Sequence, residues 1–428
     1  MSRNPIFWGL VLFEIAAVFV LDYHHEAEQD VYNGLFIQSA RSLWETGTYV
    51  LNGEPAFHPI WGYSFLVLLC GFSPVILLMA QGALCFGAIY YFYATIPIKP
   101  RLFHIPAMLP FIALCSVKWP NAITGALLVI FICSFHSYLS KPLLKTLLIG
   151  GFAAGLAVNM RGEAWIWGPA LFISLIFPLG PGMRTKGATF GLAVIFIQLL
   201  CISPWSARAY ANLGTPMLTP SYGGFVALIS LGQLPNNPWG AEHTDAYGQK
   251  FAAAEKLGPA FSPAADAAMK KEFLKRVAAH PAAFAEKVIY NFTSVLTHGV
   301  FAGQFFTLAL TESDYWKVLE NSKAVGVVPA LRGMPPATLV PLGLHVCLES
   351  LFRAGWLLLL TATFVGAYVA AKRGVSFSPF ISLTLSLTAV TIIVVSVLQY
   401  QPRHVTLLWL PLAASLLLLG SSSADSAL

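Results

Sequence analysis

The chain has 428 residues, of which 57% are hydrophobic and 10% are charged, and its mean hydropathy is +0.69. A soluble domain carries about 25% charged residues, so this composition excludes an ordinary soluble protein. The formal net charge of +6 comes from short clusters of Lys and Arg rather than from one basic face, which gives no support for nucleic-acid binding.

Apolar blocks recur along the chain at about the 20-residue length that a helix needs to cross a bilayer. They predict an all-α polytopic membrane protein with about ten transmembrane helices, ten or eleven by this pattern. No small-residue cleavage site follows the first block, so we expect a retained helix there rather than a removed signal peptide. The blocks cover residues 6–21, 60–72, 74–96, 103–117, 120–139, 143–160, 164–179, 187–205, 350–371, 378–398 and 404–420.

The orientation of the chain follows from the positions of Lys and Arg, which are enriched in cytoplasmic loops. The clearest cytoplasmic markers are Arg3, Lys141 with Lys145, Arg184 with Lys186, and Lys372 with Arg373. They predict that the loop 22–60 and the segment 206–349 lie on the outer face and that the C-terminus lies inside.

This orientation constrains the number of spans between Ser64 and Trp205. Both ends of that stretch are predicted outside, so an even number of crossings must connect them, whereas seven apolar blocks lie between them. One block must therefore be short, re-entrant or fused to a neighbour. The shortest candidates are 60–72 and 103–117, and the sequence leaves the choice between them open.

Three parts result: an N-terminal transmembrane module (1–205) that includes the acidic outer loop 22–60, an outer-face segment (206–349) and C-terminal transmembrane helices (350–428). In the outer-face segment, Ser262-Pro263 is typical of a helix start, with an N-cap followed by proline. We expect that helix to stop at His280-Pro281. The stretch after it, PAAFAEKVIYNFTSVL, is predicted to be an amphipathic helix along the membrane surface.

The first outer loop concentrates titratable side chains in a chain that has few of them. Such groups are costly to hold where apolar spans meet water, so they indicate a functional site. In a helix, Glu26 and Asp30 would share a face and Glu28 would point away. Asp30 also precedes an amphipathic run, so it could equally be an N-cap or first-turn acid. The cluster contains Asp22, His24, His25, Glu26, Glu28 and Asp30.

Cationic side chains stand where apolar blocks reach the predicted outer face. Arginine suits phosphate because its planar fork offers several donors and keeps its charge. Arg161 could instead pair with a nearby acid and fix helix packing, and Arg208 could snorkel to the interface. The His58-Pro59 pair could be only a helix-start signal. The polar residues at these positions are His58, Arg161, Glu163, Arg208, Tyr400, Arg403 and His404.

Five stretches occur in an order and spacing that resemble a known family. They are SARSLWETGTYVLNGEPAFHPIWGYSFLVLL, GLAVNMRGEAW, SPWSARAYANLGTPM, AADAAMKKEFLKRVAAHPAAFAEKV and LQYQPRHVTLLWLPLA. Together they span nearly the whole chain. The pattern resembles the GT-C glycosyltransferases, in particular the branch that contains protein O-mannosyltransferases and lipid A aminoarabinose transferase.

The resemblance implies transfer of a hexosyl or pentosyl group from a polyprenyl-phosphate-linked donor to a hydroxyl of a glycan, lipid or protein. It implies inversion, and chemistry on the periplasmic or outer face of a bacterial inner (plasma) membrane. An acid of the first outer loop would activate the acceptor: Asp30, or alternatively Glu28 or Glu26. The family's usual adjacent pair of acids is replaced here by a spaced Glu-x-Glu-x-Asp, which leaves the choice of base open.

The same resemblance implies roles for the residues of the later stretches. The donor phosphate would be bound by Arg161, Arg208, Arg403 and His404, and the substrate would also contact His58, Tyr400 and Glu163. No cofactor is predicted. The loop acids could bind a divalent cation, although the sequence has no diagnostic ligand spacing.

A transporter or flippase of an anionic polyprenyl lipid is the alternative, because it would use the same arginines without cleaving a bond. That function favours acidic residues inside several spans. The predicted spans contain few acids besides Glu14, and Glu349 lies at a span edge. The sequence therefore favours the transferase.

Overall fold

A computed structural model describes the chain in ten stretches. Within them the structure contains sixteen α-helices, a π-helical turn, two short 3-10 helices and one two-stranded antiparallel hairpin. The prediction of an all-α protein is therefore confirmed for these residues. The stretches are 4–23, 32–51, 54–57, 61–102, 104–116, 118–177, 179–298, 336–375, 377–398 and 406–425.

Nine of these described helices form the N-terminal part. They are α1 (Pro5–Tyr23), α2 (Gln38–Thr46), α3 (Trp61–Leu69), α4 (Pro74–Thr95), α5 (His104–Ser116), α6 (Pro120–Ser140), α7 (Leu144–Met160), α8 (Trp167–Ser174) and α9 (Met183–Leu213). A π-helical turn, Tyr32–Ile37, leads into α2, and the strands Val50–Leu51 and Glu54–Pro55 form the hairpin after it. A 3-10 helix, Gly162–Ile166, connects α7 to α8.

The other seven described helices follow. They are α10 (Gly223–Ser230), α11 (Asp245–Ala254), α12 (Pro263–Ala279), α13 (Pro281–His298), α14 (Pro336–Lys372), α15 (Pro379–Val397) and α16 (Trp409–Asp425). The predicted start of α12 is confirmed, since Ser262 Oγ accepts a hydrogen bond from the Ala265 N–H at 3.2 Å. Its predicted end before His280 is confirmed as well.

Among the described residues, five helices are long and apolar enough to cross a membrane: α4, α6, α9, α15 and the Ser350–Lys372 part of α14. Shorter apolar helices accompany them at Pro5–Val20, Ala107–Ser116, Leu144–Met160, Gly223–Gln233 and Trp409–Leu419. These helices support the prediction of a membrane protein.

Helix α3 accounts for one of the short apolar blocks. It has nine residues and is about 14 Å long at 1.5 Å per residue, roughly half the hydrocarbon thickness. Gly71 and Phe72 follow it with positive φ angles and turn the chain directly into α4. The block 60–72 is thus too short to cross the bilayer as a helix.

The closely packed glycines of α7 show in which direction α9 runs relative to it. A Cβ added at Gly150 would meet the Phe190 ring at 2.6 Å, and one added at Gly155 would meet Cys201 Sγ at 2.6 Å. The contact therefore advances in the same direction along both helices, which run parallel. Glycine allows this approach as small residues do in membrane helix pairs. The C-terminal ends of α7 and α9 lie together, at the end of the bundle that we call the outer end.

A second, smaller core lies in the predicted outer-face segment. Its buried members are Phe225, Leu228, Ile229, Ala252, Ala265 and Met269, contributed by α10, α11 and α12. The buried carboxylate of Asp266 joins α12 to α10, because its Oδ1 accepts from the Gly224 N–H at 2.6 Å. Its other oxygen pairs with Lys270 Nζ at 2.5 Å.

Candidate functional site at the outer end of the bundle

Helices α3, α7 and α9 are joined at the outer end by Asn159. Trp61 Nε1 donates to Asn159 Oδ1 at 2.9 Å, and Asn159 Nδ2 donates to the carbonyl of Cys201 at 2.9 Å. Gly62 lies so close that an added Cβ would stand 2.3 Å from the Asn159 carbonyl oxygen. The N-terminus of α3 is thereby fixed beside the C-terminal end of α7.

The described part of the first outer loop is held on this end by a buried polar and aromatic contact set. Ser64 Oγ on α3 lies 3.0 Å from Ser39 Oγ and 3.1 Å from Tyr49 Oη. The Phe36 ring packs edge-on against Tyr63 at 4.8 Å and against Trp119 at 5.7 Å. All but Trp119 are fully buried, so residues from the π-helical turn to the hairpin form part of the folded bundle.

Arg208 on α9 holds the hairpin of that loop. Its Nη1 donates to the Ala56 carbonyl at 2.8 Å and its Nη2 to the Tyr49 carbonyl at 2.5 Å. The guanidinium also lies 5.0–5.5 Å from the ring centres of Tyr49, Phe57 and Trp205. Among the described residues no carboxylate pairs with it. Arg208 therefore keeps a positive charge that carbonyls and rings hold in place.

Arg161 is engaged differently. Its Nε and Nη2 bind the two carboxylate oxygens of Glu163 at 3.0 and 2.6 Å, and its Nη1 bonds to Asn121 Oδ1. The Arg161 side chain is 13% exposed and that of Glu163 is 53% exposed. This is the ion pair that the sequence offered as one interpretation of Arg161. The charge of Arg161 is largely offset, and the outward side of Glu163 is open to solvent.

The predicted site residues thus divide into two groups. Arg161, Glu163 and Arg208 come to the outer end from the helices α7 and α9 and the 3-10 helix between α7 and α8. The other candidates, Glu26, Glu28, Asp30, His58, Tyr400, Arg403 and His404, lie outside the described residues.

Lys118 is a cation at this end that the sequence prediction missed. Its side chain is 1% exposed, between α5 and α6, and the next residue, Trp119, contacts the first outer loop. A signal was present in the sequence, since Lys118 is an isolated charge inside LCSVKWPNAI. Isolated charges next to apolar spans mark functional sites by default.

Lys287 on α13 was also missed. It is fully buried, and its Nζ donates to the carbonyl of Val397 at 2.8 Å and to that of Leu398. Burial lowers the pKa of this amine to about 7. Its helix was predicted to lie on the membrane surface, and amphipathicity alone did not separate a buried lysine from the polar face.

A metal site is not apparent in the part of the chain that the structure describes. No group of three or more His, Cys, Asp and Glu side chains comes together within those residues. The three acids that could bind a divalent cation lie outside them.

Comparison with known proteins gives no family for the chain. No family model matches it, and neither a curated protein nor a solved structure does. The resemblance to the GT-C glycosyltransferases stays a prediction from the five stretches, and the site must be interpreted from its own residues.

Proposed function

We propose that the protein is a membrane glycosyltransferase that moves a sugar from a polyprenyl-phosphate donor to an acceptor hydroxyl. The acceptor is a glycan, lipid or protein, and the reaction takes place at the outer face of a bacterial inner membrane. The observation that carries the proposal is the guanidinium of Arg208. It is fixed against the first outer loop by two carbonyls and is not neutralised by a carboxylate of the described residues.

The proposal includes a GT-C-like arrangement of ten spans. They are α1, α4, α5, α6, α7, the Gly162–Ser174 segment, α9, α14, α15 and α16, with α3 as a short non-crossing helix. Six of these lie between Ser64 and Trp205, as the Lys and Arg distribution requires. The first outer loop and the outer-face segment then share one side of the membrane.

The proposed reaction is a single displacement. A loop carboxylate, Asp30 or alternatively Glu28 or Glu26, takes the proton of the acceptor hydroxyl. The hydroxyl oxygen attacks the anomeric carbon from the face opposite the phosphate. The bond from that carbon to the phosphate oxygen breaks as the new bond forms, so the configuration inverts and the lipid phosphate leaves with the electron pair.

The cations act on the leaving group in this proposal. Negative charge grows on the phosphate oxygen as its bond to carbon breaks, and a fixed guanidinium that is already oriented stabilises it without reorganising. Arg208 serves this purpose together with Arg403 and His404. The Arg161–Glu163 pair contributes little net charge, so it suits hydrogen bonding to sugar hydroxyls, alongside His58 and Tyr400.

A transfer assay tests the proposal. The purified protein in lipid nanodiscs is incubated with radiolabelled polyprenyl-phosphate sugars and candidate acceptors. The proposal predicts free polyprenyl phosphate and a labelled acceptor. Movement of the intact donor across vesicles without release of lipid phosphate would support the flippase instead.

A further inference from the structure

Helix α13 contacts the outer end of α15 through a narrow stripe of buried residues. Lys287, Asn291 and Val295 are four residues apart and therefore share one face of α13. They are 0%, 1% and 0% exposed. The stripe joins the outer-face segment to two apolar helices, because the Val295 carbonyl also accepts from Trp356 Nε1 on α14 at 2.9 Å.

Two residues of this stripe, Lys287 and Asn291, bind backbone carbonyls at the C-terminus of α15. Lys287 Nζ donates to the carbonyls of Val397 and Leu398, and Asn291 Nδ2 donates to that of Ser396 at 3.1 Å. The last four carbonyls of a helix have no partner within the helix, and they carry the negative end of its dipole. An ammonium group from another helix gives these carbonyls hydrogen-bond donors and places a positive charge at the negative end of the dipole.

A buried lysine is an expensive way to pack two helices together. Within the described residues no carboxylate forms an ion pair with Lys287, so its desolvation is compensated by carbonyl dipoles and by the Phe284 ring, whose centre lies 5.8 Å from Nζ. A methionine would fill similar space without that cost. The role of the lysine is therefore to bind these carbonyls, and its bonds hold the end of α15 in place.

We infer that Lys287 is a positioning residue that holds the outer end of α15 for donor binding. The inference rests on the proposed function, since the chain continues from Leu398 to Arg403 and His404, which that function assigns to the donor phosphate. Lys287 itself contacts no substrate in this role. It acts through the last turn of α15.

The test compares Lys287→Met and Lys287→Arg with Lys271→Met, a control at an exposed lysine of α12. Two quantities are measured on the full-length protein in nanodiscs. One is amide hydrogen exchange in 281–298 and 394–398, and the other is the KM for the donor and kcat of transfer. Asn291→Ala, which removes the bonds of Asn291 to Ser396 and Gln233 and keeps Lys287, provides a milder variant if Lys287→Met does not fold.

We expect Lys287→Met to raise exchange at the end of α15 severalfold and to raise the donor KM about tenfold with a smaller change in kcat. Lys287→Arg should retain most of the wild-type KM, because its guanidinium can still donate to both carbonyls, and Asn291→Ala should change both quantities less. Unchanged exchange in Lys287→Met, or raised exchange with an unchanged KM, would overturn the inference. Absence of transfer by the wild type would instead reject the proposed function, while the exchange data would still show whether Lys287 holds α15.

Discussion

Arg208 combines two tasks that are separable by substitution. It holds the hairpin through the carbonyls of Tyr49 and Ala56, and it supplies a charge that no described carboxylate offsets. A lysine retains the charge but has a single nitrogen, so it cannot reproduce the two parallel bonds of the guanidinium fork. Glutamine removes the charge altogether.

We therefore predict that Arg208→Gln lowers kcat/KM for the donor by at least about a hundredfold, the size of effect seen when a transition-state donor is removed. The kcat/KM of Arg208→Lys should lie between that of Arg208→Gln and that of the wild type. Arg41→Gln, at an exposed arginine of α2, is the matched control and should leave transfer unchanged. Near-wild-type transfer by Arg208→Gln would remove this residue from the phosphate site.

The buried amine of Lys287 should make the folding stability of the protein increase with pH above about 7. Burial lowers its pKa from the usual 10.5 to about 7 in the folded protein. Between these two pH values the folded state therefore binds fewer protons than the unfolded state. Burying the charged amine lowers the stability of the fold by its full amount below pH 7, and this loss of stability is relieved as the pH rises toward 10.5. The nearby titratable groups are His243, on which the charge of Lys287 acts, and Asp245, which acts on His243.

The measurement is the thermal unfolding midpoint of the wild type and of Lys287→Met from pH 6 to pH 10. The midpoint of the wild type should rise relative to that of the variant above pH 7, because only the wild type has this amine. A difference that stays constant over the whole range would show that Lys287 does not titrate as a buried amine.

At the scale of elements, the junction of α3 with α7 is a close backbone contact at the outer end. The backbone of Asn159 leaves no room for a Cβ at Gly62, whereas a Cβ at Gly87 on α4 meets nothing within 4 Å. We predict that Gly62→Ala destabilises the protein by about 1–3 kcal/mol, the usual cost of overpacking, and breaks the Trp61–Asn159 bond. Gly87→Ala should be neutral or slightly stabilising, since alanine is the better helix former.

Thermal unfolding of the two variants in the same detergent checks this prediction. The chemical change is identical, so the difference between the two midpoints reports the local packing alone. Equal midpoints would mean that α3 does not depend on its approach to α7.

Several elements could be predicted from local sequence, and the failures have physical causes. Ser262-Pro263 predicted the start of α12, because capping is decided by neighbouring residues. Hydropathy placed a span at 350–371, and the part of α14 that is apolar enough to cross a membrane is Ser350–Lys372, but the helix itself begins earlier, at Pro336. Hydropathy reports where a helix is apolar and not where its hydrogen bonding starts. The block 164–179 likewise gave no indication that α8 has only eight residues.

The candidate site was predictable to a smaller extent. The pairing of Arg161 with Glu163 was within reach of the sequence, since the two residues are two positions apart. The role of Arg208 was not, because its carbonyl partners are Tyr49 and Ala56, far away in the chain. The burial of Lys287 likewise depends on the end of α15. Residue type and spacing identify a cationic side chain, but they do not identify the distant groups that it contacts in the fold.

At the scale of the whole molecule, the proposed function requires the first outer loop and the outer-face segment to share one side of the membrane. Single cysteines are introduced at Glu45, Lys271 and Lys141, all exposed, in a background without the six native cysteines. A membrane-impermeant maleimide applied to the outer side should label the first two positions, and Lys141 should react only after permeabilisation. Labelling of Lys141 from outside would reverse the orientation.

In the proposed function, the protein cleaves a polyprenyl-phosphate sugar with the help of a first-loop carboxylate. The most direct measurement is the rate of lipid-phosphate release by the purified wild type and by Asp30→Asn, Glu28→Gln and Glu26→Gln. We expect release by the wild type and a loss of at least about a hundredfold in one of the three variants, Asp30→Asn first, with folding unchanged. No release by the wild type, or near-wild-type release by all three variants, would contradict it.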